Sequence, residues 1–86
     1  MRLTFHEGAW EDYVYWATTD RKILKRLNRL LEDIQRDPFD GIGKPEPLSH
    51  DFAGWWSRRI DEEHRIVYTL DGDQIVVLQA RGHYGD

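Results

Sequence analysis

Cysteine is absent from this 86-residue chain, which removes disulfide frameworks, thiolate nucleophiles and cysteine-based metal sites together. No apolar run approaches the length needed to cross a bilayer, and no charged leader with an apolar stretch opens the sequence. No internal repeat or low-complexity tract is present. These absences lead to the expectation of a soluble cytoplasmic protein that needs no membrane. No spacing of histidine and carboxylate resembles a metal site either. His50-Asp51 and Glu62-Glu63-His64 are too generic, so no metal and no cofactor is expected.

What is present fits one folded domain over residues 1–86. Hydrophobic residues make up 40% and aromatics 13%, with four tryptophans, which suits a single core and not a disordered chain. Most of the tryptophan is expected to be core volume. The net charge of −4 argues weakly against nucleic acid, yet the charges are clustered. Arg21, Lys22, Lys25, Arg26 and Arg29 crowd one segment, where a solvated helix face is the common meaning.

Residues 2–6 alternate and read as a short opening strand. Trp10, Tyr13, Val14 and Ala17 then recur at helical spacing over about 8–17. Thr18-Thr19-Asp20 interrupts and offers an N-cap to a second helix, whose apolar stripe is Ile23, Leu27, Leu30, Leu31 and Ile34. Asp37-Pro38 ends it, because the residue before proline avoids helical geometry. Residues 37–47 read as a loop in which Pro45 and Pro47 flank Glu46. Two fixed φ angles hold that carboxylate at low entropic cost, although taken alone the segment is a rigid connector.

Beyond Leu48 the period changes to two. Trp55 to Asp61, His64 to Leu70 and Gln74 to Tyr84 read as antiparallel strands, with Asp71-Gly72 as the second turn. The expected fold is α+β, two helices on one face of an antiparallel sheet of four to five strands. Trp56, Arg58 and Ile60 share the core parity of the first of these strands; Ile66, Tyr68 and Leu70, with His64, that of the second. In the last, Val76, Leu78 and Ala80 form the core set. Arg59, Arg65, Arg81 and His83 then fall together on the uncovered face, provided the turn around Glu62 has odd length.

Three arginines and a histidine on one face either fan out into water or bind an anion, and a phosphate ester is the favoured reading because it matches guanidinium geometry. Histidine accepts or donates a proton near neutral pH, and Glu46 offers the opposite partner. Cleavage of RNA needs a base for the 2′-hydroxyl, an acid for the leaving oxygen and cations on the phosphate. Glu46, His83 and the arginines supply all three roles.

Four stretches in order then carry a family resemblance. They are Lys44-Pro45-Glu46-Pro47-Leu48, Gly54-Trp55-Trp56-Ser57-Arg58-Arg59-Ile60, Glu62-Glu63-His64-Arg65-Ile66-Val67-Tyr68 and Arg81-Gly82-His83-Tyr84. With Trp10, Asp12-Tyr13, Tyr15-Trp16 and Pro38-Phe39, the chain resembles the YoeB (Txe) toxins of the RelE-like toxin–antitoxin group over essentially its whole length. The resemblance implies a RelE-like fold and a ribosome-dependent mRNA interferase. It implies Glu46 as general base, His83 as general acid, Arg65 and Arg59 on the phosphate, and Tyr84 against the substrate. Lys44 and Arg81 are the further RNA-binding residues. Tyr84 has inward parity, a tension that a twist or break at Gly82 would relieve. The implied partners are a YefM-like antitoxin, mRNA with rRNA in the A site of the 70S ribosome, and, as an open option, a second copy forming a homodimer. Two departures stand out: Ser49 replaces a lysine that is common after Leu48, and Gly85-Asp86 follow the usual final tyrosine. The rival functions on the same fold are a gyrase-poisoning toxin of the ParE type and a non-catalytic antitoxin-binding module.

Overall fold

The second helical segment sets the core. In the computed structural model, which describes residues 1–82, α2 spans Arg21–Arg36 and buries Leu27, Leu30, Leu31 and Ile34 along one stripe. Asp20 caps it, its carboxylate accepting from the Lys22 and Ile23 N–H groups, each at 3.1 Å. It stops at Asp37, which is extended ahead of Pro38. The helix before it, α1 (Glu7–Thr19), buries Ala9 and Trp16.

Five strands complete the layer: β1 (Arg2–Phe5), β2 (Glu46–Pro47), β3 (Trp56–Arg59), β4 (Arg65–Asp71) and β5 (Gln74–Gln79). Their order is β1-β5-β4-β3-β2. The β2–β3, β3–β4 and β4–β5 ladders are antiparallel. The β1–β5 ladder is parallel, so the sheet is mixed where an antiparallel one was expected. The chain returns to β1 only after two helices and the whole meander, and lays β5 alongside it in the same direction. Ile66, Tyr68, Ile75 and Val77 meet both helices in one apolar cluster. Each such buried aliphatic side chain contributes on the order of 1.5–3 kcal/mol.

Parity follows expectation in β3 and through Ile66 and Tyr68 in β4, while Leu70, expected in the core, is exposed at the strand's end; β5 departs from expectation. The register pairs Trp56 with Tyr68, Arg58 with Ile66 and Arg59 with Arg65, so the connecting turn is odd. Asp61 builds that turn by accepting from the Glu63 and His64 N–H groups at 2.8 and 2.7 Å. In β5 the core residues are Ile75 and Val77, not Val76 and Leu78, whereas Ala80 is core as expected. The cause is one extra residue: Tyr68 faces Val77 but Val67 faces Gln79, so the strand bulges at Leu78 and its parity flips. The β4–β5 hairpin turns on Gly72-Asp73, with Gly72 at φ +62 and Asp71 opposite Gln74. The tryptophans are less buried than expected: Trp16 alone is in the core, and Trp10 is 53% exposed.

Arg58 takes a core position by giving all five of its donors to protein acceptors. Nε donates to the Tyr68 hydroxyl at 3.0 Å, and Nη1 donates to Asp33 Oδ2 at 2.6 Å and the Ile42 carbonyl at 3.1 Å. Nη2 donates to the Asp37 and Asp40 carbonyls at 2.5 and 3.3 Å. Hydrogen bonds from Arg36, the Ile42 N–H and Arg58 hold the Asp33 carboxyl well below the usual carboxylate range, against the opposing effect of desolvation. Burial raises the Tyr68 phenol, which donates to the Pro38 carbonyl at 2.7 Å. The network ties the irregular 37–42 segment to the sheet and fixes where the chain enters β2.

Candidate RNA-cleaving face

Glu46 reaches the sheet because its loop becomes an edge strand. Pro45 and Pro47 pre-set φ on either side, and the edge position spares Pro47 a donor it lacks. Glu46 pairs with Ser57 and Pro47 with Trp56. The segment is laced to the sheet at both ends, Arg59 N–H donating to the Gly43 carbonyl at 2.6 Å and Leu48 N–H to the Trp55 carbonyl at 2.9 Å. Gly43 lies at φ +79, and a Cβ there would stand 2.7 Å from Leu30 Cδ2 and 3.0 Å from the Arg59 carbonyl oxygen. Only glycine fits that approach. Lys44 follows at φ +55, an uncommon conformation for a side-chain-bearing residue.

Register then assembles a face opposite the helices. Glu46 lies beside Ser57 and Ser57 beside Val67, while Arg59 stands directly across from Arg65. Ser57 and Val67 are buried, so the centre of this face is recessed. The Ser57 hydroxyl accepts from Arg65 Nη1 at 3.4 Å. Lys44 Nζ sits 3.6 Å from Glu46 Oε1, an exposed pair worth little to stability. Among the described residues neither Arg59 nor Arg65 has a carboxylate within ion-pairing distance. Two guanidinium groups directly opposite one another disfavour the empty face and favour a bound oxyanion. Among the described residues no three histidine, aspartate or glutamate side chains converge as metal ligands would.

Arg81 does not join this group. Its guanidinium stacks over the Tyr15 ring on α1, 3.7 Å from the ring centroid. The bulge in β5 and the end of pairing at Gln79 release the chain from the sheet there. The helix takes it over: Ala80 donates its N–H to Asp12 Oδ2 at 3.0 Å, and its carbonyl accepts from Trp16 Nε1 at 2.9 Å. Gly82 lies at φ +84, outside strand geometry. His83 and Tyr84 lie outside the described residues.

Two residues near the face were not singled out in the sequence. Ser57 stands between Glu46 and Arg65, which the pairing register alone reveals. His64 was assigned to the core side; it is half-buried, edge-on to Trp16 at 4.8 Å, and its Nδ1 accepts from the Gly82 N–H at 2.9 Å.

Residues 5–84 match the family described as the YoeB-like toxin of bacterial type II toxin–antitoxin systems. The chain belongs to that family. It is 62% identical to the toxin YoeB of Streptomyces coelicolor over 84 residues, covering 98% of this chain and all of that one. Its structure superposes on the YoeB/ParE toxin from Agrobacterium tumefaciens with a TM-score of 0.95 at 45% identity, covering 98% of this chain and 100% of that one. The YoeB of Staphylococcus aureus, solved as a dimer and in complex with YefM, matches at TM-scores of 0.91 and 0.90 with 44% and 42% identity, each covering 98% of both chains. The fold and the toxin class expected from the sequence are thereby established.

Proposed function

We propose that this toxin is a ribosome-dependent endoribonuclease that cuts mRNA in the A site by acid–base attack of the 2′-hydroxyl. The observation that carries the reading is the register that sets Glu46 beside Ser57 and Arg59 opposite Arg65 on one uncovered, recessed face. Glu46 takes the 2′-hydroxyl proton, Arg65 and Arg59 hold the charge that develops on phosphorus, and His83 protonates the leaving oxygen. Tyr84 contacts the substrate, and Lys44 adds positive charge at the rim. Arg81, turned onto Tyr15, contributes to RNA binding only by leaving that stack. A YefM-type antitoxin covers the face when the toxin is silent, a reading supported by the YefM complex of the Staphylococcus aureus toxin. The Staphylococcus aureus dimer supports a homodimer in the same way.

The test is induction of the chain without antitoxin. Wild type arrests growth and cuts translated mRNA, and Glu46→Gln lowers the cleavage rate about 10²–10⁴-fold while still binding antitoxin. DNA breaks with intact mRNA would instead establish gyrase poisoning, a rival that the combined YoeB/ParE description of the Agrobacterium tumefaciens neighbour keeps relevant. Full toxicity of Glu46→Gln would remove the general-base assignment.

A further inference from the structure

The end of the described chain is gripped by more groups than a disposable tail would need. Asp12 and Trp16 hold both sides of Ala80, Tyr15 carries Arg81, and the Gly82 carbonyl accepts from the Arg65 N–H at 3.0 Å. Gly82 N–H is the last donor before His83, and it goes to a side chain, His64 Nδ1. That bond requires an unprotonated Nδ1. The other ring nitrogen, Nε2, lies 3.9 Å from the exposed Glu63 carboxylate, beyond hydrogen-bond distance. Trp16 stands edge-on to the imidazole and fixes the ring plane. His64 and Gly82 thus form a bonded pair one peptide bond from His83, and His64 adjoins Arg65.

We propose that His64 is a positioning residue of the cleavage reaction: by accepting from Gly82 N–H it fixes, relative to Arg65, the peptide that immediately precedes His83. The inference rests on the acid role proposed for His83. Gly82 is bonded on both sides to neighbouring residues at the start of β4, its N–H to the ring of His64, just before the strand, and its carbonyl to the N–H of Arg65, the strand's first residue. The pair works as a two-point clamp, and a glycine at φ +84 has no side chain that could replace either point. Losing the ring acceptor leaves one point and lets the segment pivot about the other. A displacement of about 1 Å at a reacting group can cost on the order of 10²-fold in rate.

The experiment measures kcat and KM for mRNA cleavage on programmed ribosomes, with amide hydrogen exchange at Gly82, for full-length chains. The variants are His64→Phe, which keeps a ring against Trp16 but no acceptor, His64→Asn, which restores an acceptor at the Nδ1 position, His83→Gln, and the His64→Phe/His83→Gln double variant. We expect His64→Phe to keep its melting temperature, lose protection at Gly82 and lose about 10- to 100-fold in kcat with KM unmoved. His64→Asn recovers most of both, and the double variant is no slower than His83→Gln. Unchanged kcat in His64→Phe, unchanged protection at Gly82, or an equal further loss in the His83→Gln background would each overturn the proposal. A fully active His83→Gln, in a chain with His64 intact, overturns the acid assignment itself. A fully active His64→Phe beside an inactive His83→Gln overturns only the positioning role.

Discussion

Arg58 shows how a charge can occupy a core position. Its guanidinium is buried, and each donor ends on an oxygen: Tyr68 on β4, Asp33 on α2, and three carbonyls of the irregular 37–42 segment. Its parity in β3 was readable from the sequence, but its partners were not, because Asp33, Asp37, Asp40 and Ile42 come together only once the chain after α2 folds back. Replacing Arg58 by leucine leaves three carbonyls without their donor and takes one of three donors from the Asp33 carboxylate, and should cost about 3–5 kcal/mol in urea unfolding. Asp33 adds a pH dependence of definite sign. Its folded carboxyl titrates below the ordinary unfolded value of about 3.9, so its stabilisation is complete above that value and fades as pH falls through the folded one. The stability gap between wild type and Asp33→Asn should therefore be constant near neutrality and narrow below about pH 4. A gap that stays constant down to pH 3 would show that Asp33 acts by shape and not by charge.

At the scale of elements, legibility depended on whether local pattern or distant pairing decided the outcome. The second helix was fully legible, because a capping aspartate, an apolar stripe and a terminating proline all act within one segment. The strand from Gln74 was half legible: its existence follows from alternation, but a single extra residue at Leu78 inverts parity and is fixed only by its partner strand. The two-residue strand holding Glu46 was read as loop, since proline counts against strands and an edge pairing with β3 leaves no periodic trace. Arg81 was misplaced for the same reason, as Tyr15 lies far away in sequence. These local devices can be tested directly. Asp20→Ala removes a cap and should cost about 1 kcal/mol without changing cleavage. Gly43→Ala forces a side chain against Leu30 and the Arg59 carbonyl at positive φ. It should cost about 1–3 kcal/mol and also slow cleavage, because the displaced segment is the one that carries Glu46. Cleavage at the wild-type rate would mean that the carboxylate is placed by its ladder with β3 alone.

The whole molecule separates its tasks by face. Both helices lie on one side of the sheet with the apolar cluster, and the other side carries Glu46, Ser57, Arg59 and Arg65. An overall charge of −4 therefore conceals a locally cationic face, which is where a polyanion or an acidic polypeptide gains most. If, as proposed, a YefM-type antitoxin silences the toxin by covering this face, it competes for the same guanidinium groups as RNA, and its association should depend on charge. Screening acts over about 10 Å at 0.1 M salt, and steering of this kind shows mainly in the association rate. Raising salt from about 0.1 to about 0.5 M should slow antitoxin binding several-fold while changing dissociation less. Arg59→Ala/Arg65→Ala should flatten that salt slope and weaken RNA cleavage together. An affinity indifferent to salt would assign antitoxin recognition to apolar contacts, and the exposed Trp10, stacked on Tyr13 at 5.6 Å on the helix side, would then be the place to look.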